Sequence, residues 1–184
     1  MEKFLTRDMY DTYLEMCLGV MALRIPEIQS ILKSSYPKAA IKSSYSDRDQ
    51  DLPLNVPKMI AQIRDQGLTK PKNLRSEFTQ INIVFLISAW DLLTETKTYN
   101  SIATEPEIQF FRHVRNGCAH DNQFNFDALK HPAKWRDNEI TTALKGQTLF
   151  PDFIKDGDPL LLLLDINNKY FELIMIEGYI PYEP

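Results

Sequence analysis

The stretch Arg112–Asp121, RHVRNGCAHD, gathers two arginines, two histidines and an asparagine, with no carboxylate before Asp121. A guanidinium can hold a phosphate through two parallel hydrogen bonds. An imidazole titrates near neutrality and can take or give a proton. Together they are the minimum set for phosphodiester chemistry. At about 100° per residue the stretch is two-faced. Phe110, Phe111, Val114 and Cys118 fall on one side. Gln109, Arg112, His113, Asn116 and His120 fall on the other, and Arg115 flanks them. Arg112, Asn116 and His120 form one row at i, i+4, i+8. Asparagine and histidine are mediocre helix formers, so propensity alone does not place them there. The plainer alternative is a solvated charged face. Gly117 either lets a partner helix come close or marks the start of the helix end.

The chain as a whole does not share this character. Its 184 residues carry a net charge of -4, so any anion site must be local. A composition 43% apolar and 25% charged is that of an ordinary globular chain. A metal site could draw on His113, His120, His131 and Cys118, but Cys118 points away from the histidines on the wheel. No Cys-x-x-Cys or His-Glu-x-x-His spacing occurs, so neither metal nor other cofactor is expected. Cys118 on the apolar face suits packing better than nucleophilic attack. Cys17 and Cys118 read as reduced thiols of a cytoplasmic protein. MEKFLTRDMYDTYLEM is too acidic and interrupted for a signal peptide. The apolar runs IVFLISAW and PLLLLLDI fall short of the roughly 20 residues that span a bilayer. No Gly-rich phosphate loop is present.

The elements that must position the motif are mostly helical. Spaced Phe4, Met9, Tyr13, Met16, Val20 and Leu23 predict a helix over 3–24. Pro26 breaks it and opens a second to about Lys33. Residues 36–55 read as a long polar loop. A short helix follows from Pro57 to Gln66, stopped by Gly67. The most apolar helix, about Leu74 to Lys97, is expected inside a bundle. Ser88, Asp91 and Glu95 share one stripe of it: either a wet face, or a place from which Asp91 orients a basic group on a neighbouring helix. Thr104 and Glu107 fit a capping box opening the motif helix, with Glu105 and Pro106 in its first turn. A hairpin or irregular insertion is expected near 131–155, in which Trp135 and Phe150 either stack bases or, the favoured reading, seal the bundle. Asp158 and Pro159 open a last helix running to Gly178. The prediction is one all-α domain over 1–184, a bundle of about five main helices, with no internal repeat.

RNGCAH, residues 115–120, resembles the R-x4-6-H motif of the HEPN superfamily, with a polar residue straight after the arginine. The wider VRNGCAHDNQF is similar to the motif region of HEPN-type abortive-infection and plasmid-encoded HEPN proteins. The likeness covers about a dozen residues, and the helical order around it agrees with the family's layout. The resemblance implies a helical bundle that homodimerises through the motif helix. It also implies a metal-independent endoribonuclease, acting in phage defence or as a toxin, under an unknown antitoxin or regulator. It makes Arg115 and His120 the catalytic pair and gives Asn116 the polar second position, orienting the histidine or the phosphate. Arg112 and His113 lie outside the minimal motif; they either grip RNA backbone as substrate-binding residues or are plain surface. One departure stands out. HEPN toxins controlled by nucleotidyltransferase-like antitoxins carry a modified tyrosine two residues after the histidine, where this chain has Asn122. That argues against this mode of control. The alternative is a catalytically inactive HEPN-like module that binds RNA or protein.

Overall fold

A computed structural model describes residues 4–35, 39–41, 52–61 and 73–171. Helix dominates them, in keeping with an all-α bundle. The elements are α1 (Arg7–Ala22), α2 (Pro26–Ser35), β1 (Ala39–Ile41), β2 (Leu52–Leu54), α3 (56–61), α4 (Asn73–Glu95), α5 (Tyr99–Ile102), α6 (Pro106–Ala119), β3 (Lys134–Trp135), β4 (Asn138–Glu139) and α7 (Asp158–Tyr170). They fall into two compact units. One lies within Met1–Leu14 and Phe78–Pro184, the other within Glu15–Glu77.

In the Glu15–Glu77 unit, Pro26 opens α2 as expected, because a first-turn residue needs no N–H donor. The side chain of Gln29 donates to Leu23 O at 2.7 Å and closes the corner between α1 and α2. The stretch expected to be a loop holds two short strands. Ala39, Ala40 and Ile41 pair antiparallel with Leu54, Pro53 and Leu52. Pro53 is tolerated because a two-stranded ribbon has free edges, where a missing donor breaks no ladder. The Asn55 side chain caps α3, accepting from Lys58 N at 3.0 Å. The predicted continuation to Gln66 and Gly67 lies outside the described residues.

The other unit holds the motif helix and its supports. α4 buries Phe85, Leu86, Ala89 and Leu93. α6 buries Ile108, Phe110, Phe111 and Val114, and α7 buries Leu162, Leu163, Leu164 and Ile166. Each such aliphatic or aromatic side chain contributes about 1.5–3 kcal/mol by leaving water. Trp90 meets Phe111 edge-on at 5.2 Å and so seats α4 against α6. α4 packs in the bundle by one face, and the opposite face is wider open than its apolar centre suggested. Val84 (59%) and Leu92 (42%) are exposed, alongside Ser88, Asp91 and Glu95, because its neighbours cover only the Phe85–Leu93 face.

Buried amides tie distant segments together. Asn167 Oδ1 accepts from Leu5 N at 3.1 Å, and Phe4 packs on Phe171. Asn82 accepts from the Tyr13 hydroxyl at 2.7 Å and donates to Asp156 O at 3.1 Å. Both asparagines are almost fully buried, so these bonds satisfy groups that would otherwise be expensive to desolvate.

The hairpin expected near 131–155 is present as β3–β4, with Trp135 paired to Asn138. Asp165 of α7 fastens it. Its carboxylate accepts from Trp135 Nε1 at 2.8 Å and takes Arg136 in a two-pronged grip, Nε at 2.7 Å and Nη2 at 3.1 Å. Trp135 and Phe150 are buried, so both seal the unit and neither is open to a base. α7 begins at Asp158, the predicted cap itself, with Gly157 flanking it, and the Asp158 carboxylate accepts from Lys155 N at 2.8 Å. α7 ends at Tyr170, and Phe171 is extended and buried. The predicted continuation to Gly178 lies outside the described residues.

Candidate functional site

The motif helix starts differently from its predicted capping box. Pro106 takes the first helical position, which makes Glu105, not Thr104, the flanking residue, and no side chain caps the helix. Glu107 is engaged elsewhere. Its carboxylate accepts from Lys169 and from the Tyr170 hydroxyl of α7, the latter at 2.7 Å. Burial pushes the Glu107 pKa upward, but the hydrogen bonds from Lys169, Tyr170 and the backbone, with the Lys169 charge, together outweigh it and hold the carboxyl below its ordinary value. Tyr170 is raised, first by burial and then by its bond to Glu107. This cluster anchors the front of α6 to α7.

The back of α6 is shaped by three residues. At Gly117, a Cβ would lie 3.3 Å from both Gln123 O and Leu149 Cδ2. The close neighbour is therefore the returning chain, not a helix. Asp121 (φ 52°) and Asn122 (φ 60°) then turn left-handed, a conformation that Asp and Asn accept more readily than most residues. The Asn122 side chain donates to Phe150 O at 2.8 Å and accepts from Phe150 N at 3.0 Å, while its own carbonyl accepts from Leu149 N at 2.9 Å. Where the resemblance drew attention to a missing tyrosine, the structure has a clamp.

His120 is the residue that closes α6. Its backbone N–H donates to Gly117 O at 3.1 Å, its carbonyl accepts from Gln123 N at 3.0 Å, and the residue is exposed. Arg115 is partly covered, its side chain 29% exposed. Its Nη2 lies 3.5 Å from Asp91 Oδ1 on α4, and its Nε is buried with no hydrogen-bond partner. Of the two readings of the α4 stripe, both hold: it is wet, and Asp91 faces a basic group on a neighbouring helix. Asn116 is half-buried and Arg112 is exposed. The motif's arginine and histidine thus lie within one helix end, with Arg115 beside α4 and His120 at the terminus.

The wheel misplaced two residues. Gln109 is 4% exposed, with its amide bonded to Ala103 O. His113 is 7% exposed, its ring edge-on to Phe126 at 5.2 Å and its Nδ1 without a partner. The chain after α6 folds back over His113, and the turn before α6 takes up the Gln109 amide, on a flank that a two-faced wheel assigns to solvent. A buried ring is poorly placed for the substrate grip considered for His113. Burial, and then the Arg112 charge, lower the His113 pKa from its ordinary 6.5. The sign follows from proton linkage. As pH falls below 6.5 the unfolded chain binds this proton more readily, so stability present above 6.5 is lost through the folded value. Between about pH 7 and about pH 5.5 the melting temperature is expected to fall, and His113→Gln should flatten that part of the profile. An unchanged slope in the variant would remove His113 as its source.

Burial raises the Cys118 thiol to about 12 against the opposing pull of Arg115, so it stays protonated and packs as a small apolar group. Neither Cys17 nor Cys118 is part of a disulfide. Among the described residues, no three His, Cys, Asp or Glu side chains gather as a metal site needs. No helix among them is long and apolar enough to cross a membrane. Comparison of the chain with protein-family models, with curated proteins and with solved structures finds no match.

Proposed function

We propose that the chain is a metal-independent endoribonuclease that works through Arg115 and His120, of the kind its HEPN-like motif implies. The observation that carries the reading is the surfacing of both residues at the end of a helix whose remaining face is core. His120 is exposed, Arg115 is partly so, and Phe110, Phe111, Val114 and Cys118 are buried. A helix end held by Gly117 and Asn122 gives the imidazole a defined origin.

In the reaction the ribose 2′-hydroxyl attacks the adjacent phosphorus. The products are a 2′,3′-cyclic phosphate and a 5′-hydroxyl. The nucleophile belongs to the substrate and starts close to the reacting centre, so no metal-bound water is required. His120 transfers protons, Arg115 stabilises charge building on the phosphoryl oxygens, and Asn116 helps orient the histidine or the phosphate. One imidazole serves both proton transfers poorly. A two-fold dimer through the motif helix supplies a second in a shared groove.

The test is incubation of the purified chain with RNA in the presence of a chelator. Cleavage with cyclic phosphate ends is the expected outcome. Binding without cleavage would leave the chain an RNA-binding module, and neither binding nor cleavage would end the nucleic-acid reading.

A further inference from the structure

Resting on that reading, the geometry points to Asp91 as a built-in competitor for the phosphate site: it occupies Arg115 in the free protein and is displaced when a phosphodiester arrives.

The Arg115 guanidinium is unevenly satisfied. One nitrogen, Nη2, has a carboxylate at 3.5 Å, a long contact on one prong. Another, Nε, is buried and has no acceptor. A buried charged donor left unmade is costly. The contact that holds the side chain there is weak, because Asp91 is 62% exposed and solvent screens the pair. The resting arrangement is therefore easily left. A phosphate offers the fork two acceptors at once, which the single prong of Asp91 does not.

Asp91 itself does not follow the arginine outward. Trp90, its neighbour on α4, is wedged edge-on between Tyr99 and Phe111 and fixes this turn of the helix against α6. Once a phosphodiester takes the guanidinium, the carboxylate stands close to a like charge with no compensating partner in the free-state geometry. The competition thus has two parts, the contact given up and the repulsion gained. Both disappear when the charge at position 91 is removed. Glu95, one turn along the same wet stripe, supplies an internal control, because it is exposed and of the same sign.

The probe is a 2′-O-methyl RNA oligonucleotide, which keeps the phosphodiester but lacks the nucleophile, so affinity is read without turnover. Asp91→Asn is expected to tighten binding roughly fivefold, the size of one like-charge contact near a surface. Glu95→Gln should shift it by less than about twofold. In an Arg115→Ala background the gain from Asp91→Asn should vanish. The proposal is overturned if Asp91→Asn binds no tighter. It is overturned equally if the gain survives without Arg115 or is matched by Glu95→Gln, since either marks a general charge effect. Weaker binding in Asp91→Asn would instead make Asp91 a support for Arg115. If the unaltered chain does not bind the oligonucleotide at all, the proposed function fails first, and this inference goes with it.

Discussion

Replacing His120 with alanine is expected to lower RNA cleavage by about 10²–10⁴-fold, the range that one positioned acid–base group supplies. The fold should survive the change. His120 closes α6 through its backbone N–H and carbonyl, and its exposed side chain fills no part of the core. Arg115→Ala should cost about 10²-fold or more by removing the charge that faces the developing phosphorane. It also removes a buried, unpartnered Nε and a weak surface pair, so its effect on stability should be small. The two variants together should lose less than the product of the single losses, because residues acting as a unit are not additive. The measurement is the initial rate on RNA with chelator present, beside a thermal melt of each variant. Full activity in His120→Ala would take the imidazole out of the mechanism.

Asp165→Ala should destabilise the fold by about 3 kcal/mol in urea-induced unfolding. The carboxylate is 11% exposed, holds both prongs of Arg136 and accepts the Trp135 indole N–H. Its loss removes one shared carboxylate acceptor from a 27% exposed guanidinium and a buried indole. Asp165→Asn keeps an oxygen for the indole and gives up the charge, so about half the loss is expected. Equal losses in the two variants would show that charge rather than geometry holds the hairpin to α7. Neither change should alter cleavage by the fraction that remains folded.

Much of the skeleton was readable from periodicity and punctuation. α1, α2, α4, α6 and α7 follow the spacing of apolar residues, and Pro26, Pro106 and Pro159 mark three helix starts. The Asp91 stripe was readable too, because a carboxylate row on an apolar helix has few other places to go. The burial of Gln109 and His113 was not. For His113 it depends on the returning chain setting Phe126 against the ring, and for Gln109 it goes with an amide bond to Ala103 O ahead of the helix. Nothing in the local pattern of α6 states where either segment will lie. The Asp165 bracket was hidden for a related reason. Its partners sit 29 and 30 residues away, joined through a hairpin whose turn residue, Arg136, has a positive φ of 51° that few arginines adopt. The short β1–β2 pair escaped because three residues are too few to show alternation. The role of Asn122 was visible only as an unexpected residue beside a motif, with no hint that its amide was already in use.

That clamp has a consequence for how the helix end can change over time. Asn122 reads Phe150 only through its main-chain N–H and C=O, groups that every residue but proline possesses. Whatever apolar side chain fills position 150, the amide at 122 finds the same two partners. The dependence of the terminal turn on a segment 28 residues downstream therefore leaves no correlated substitutions between the two positions. A graft of residues 112–122 onto another helix would carry the motif side chains but lose the backbone at 149–150 that holds the terminal turn.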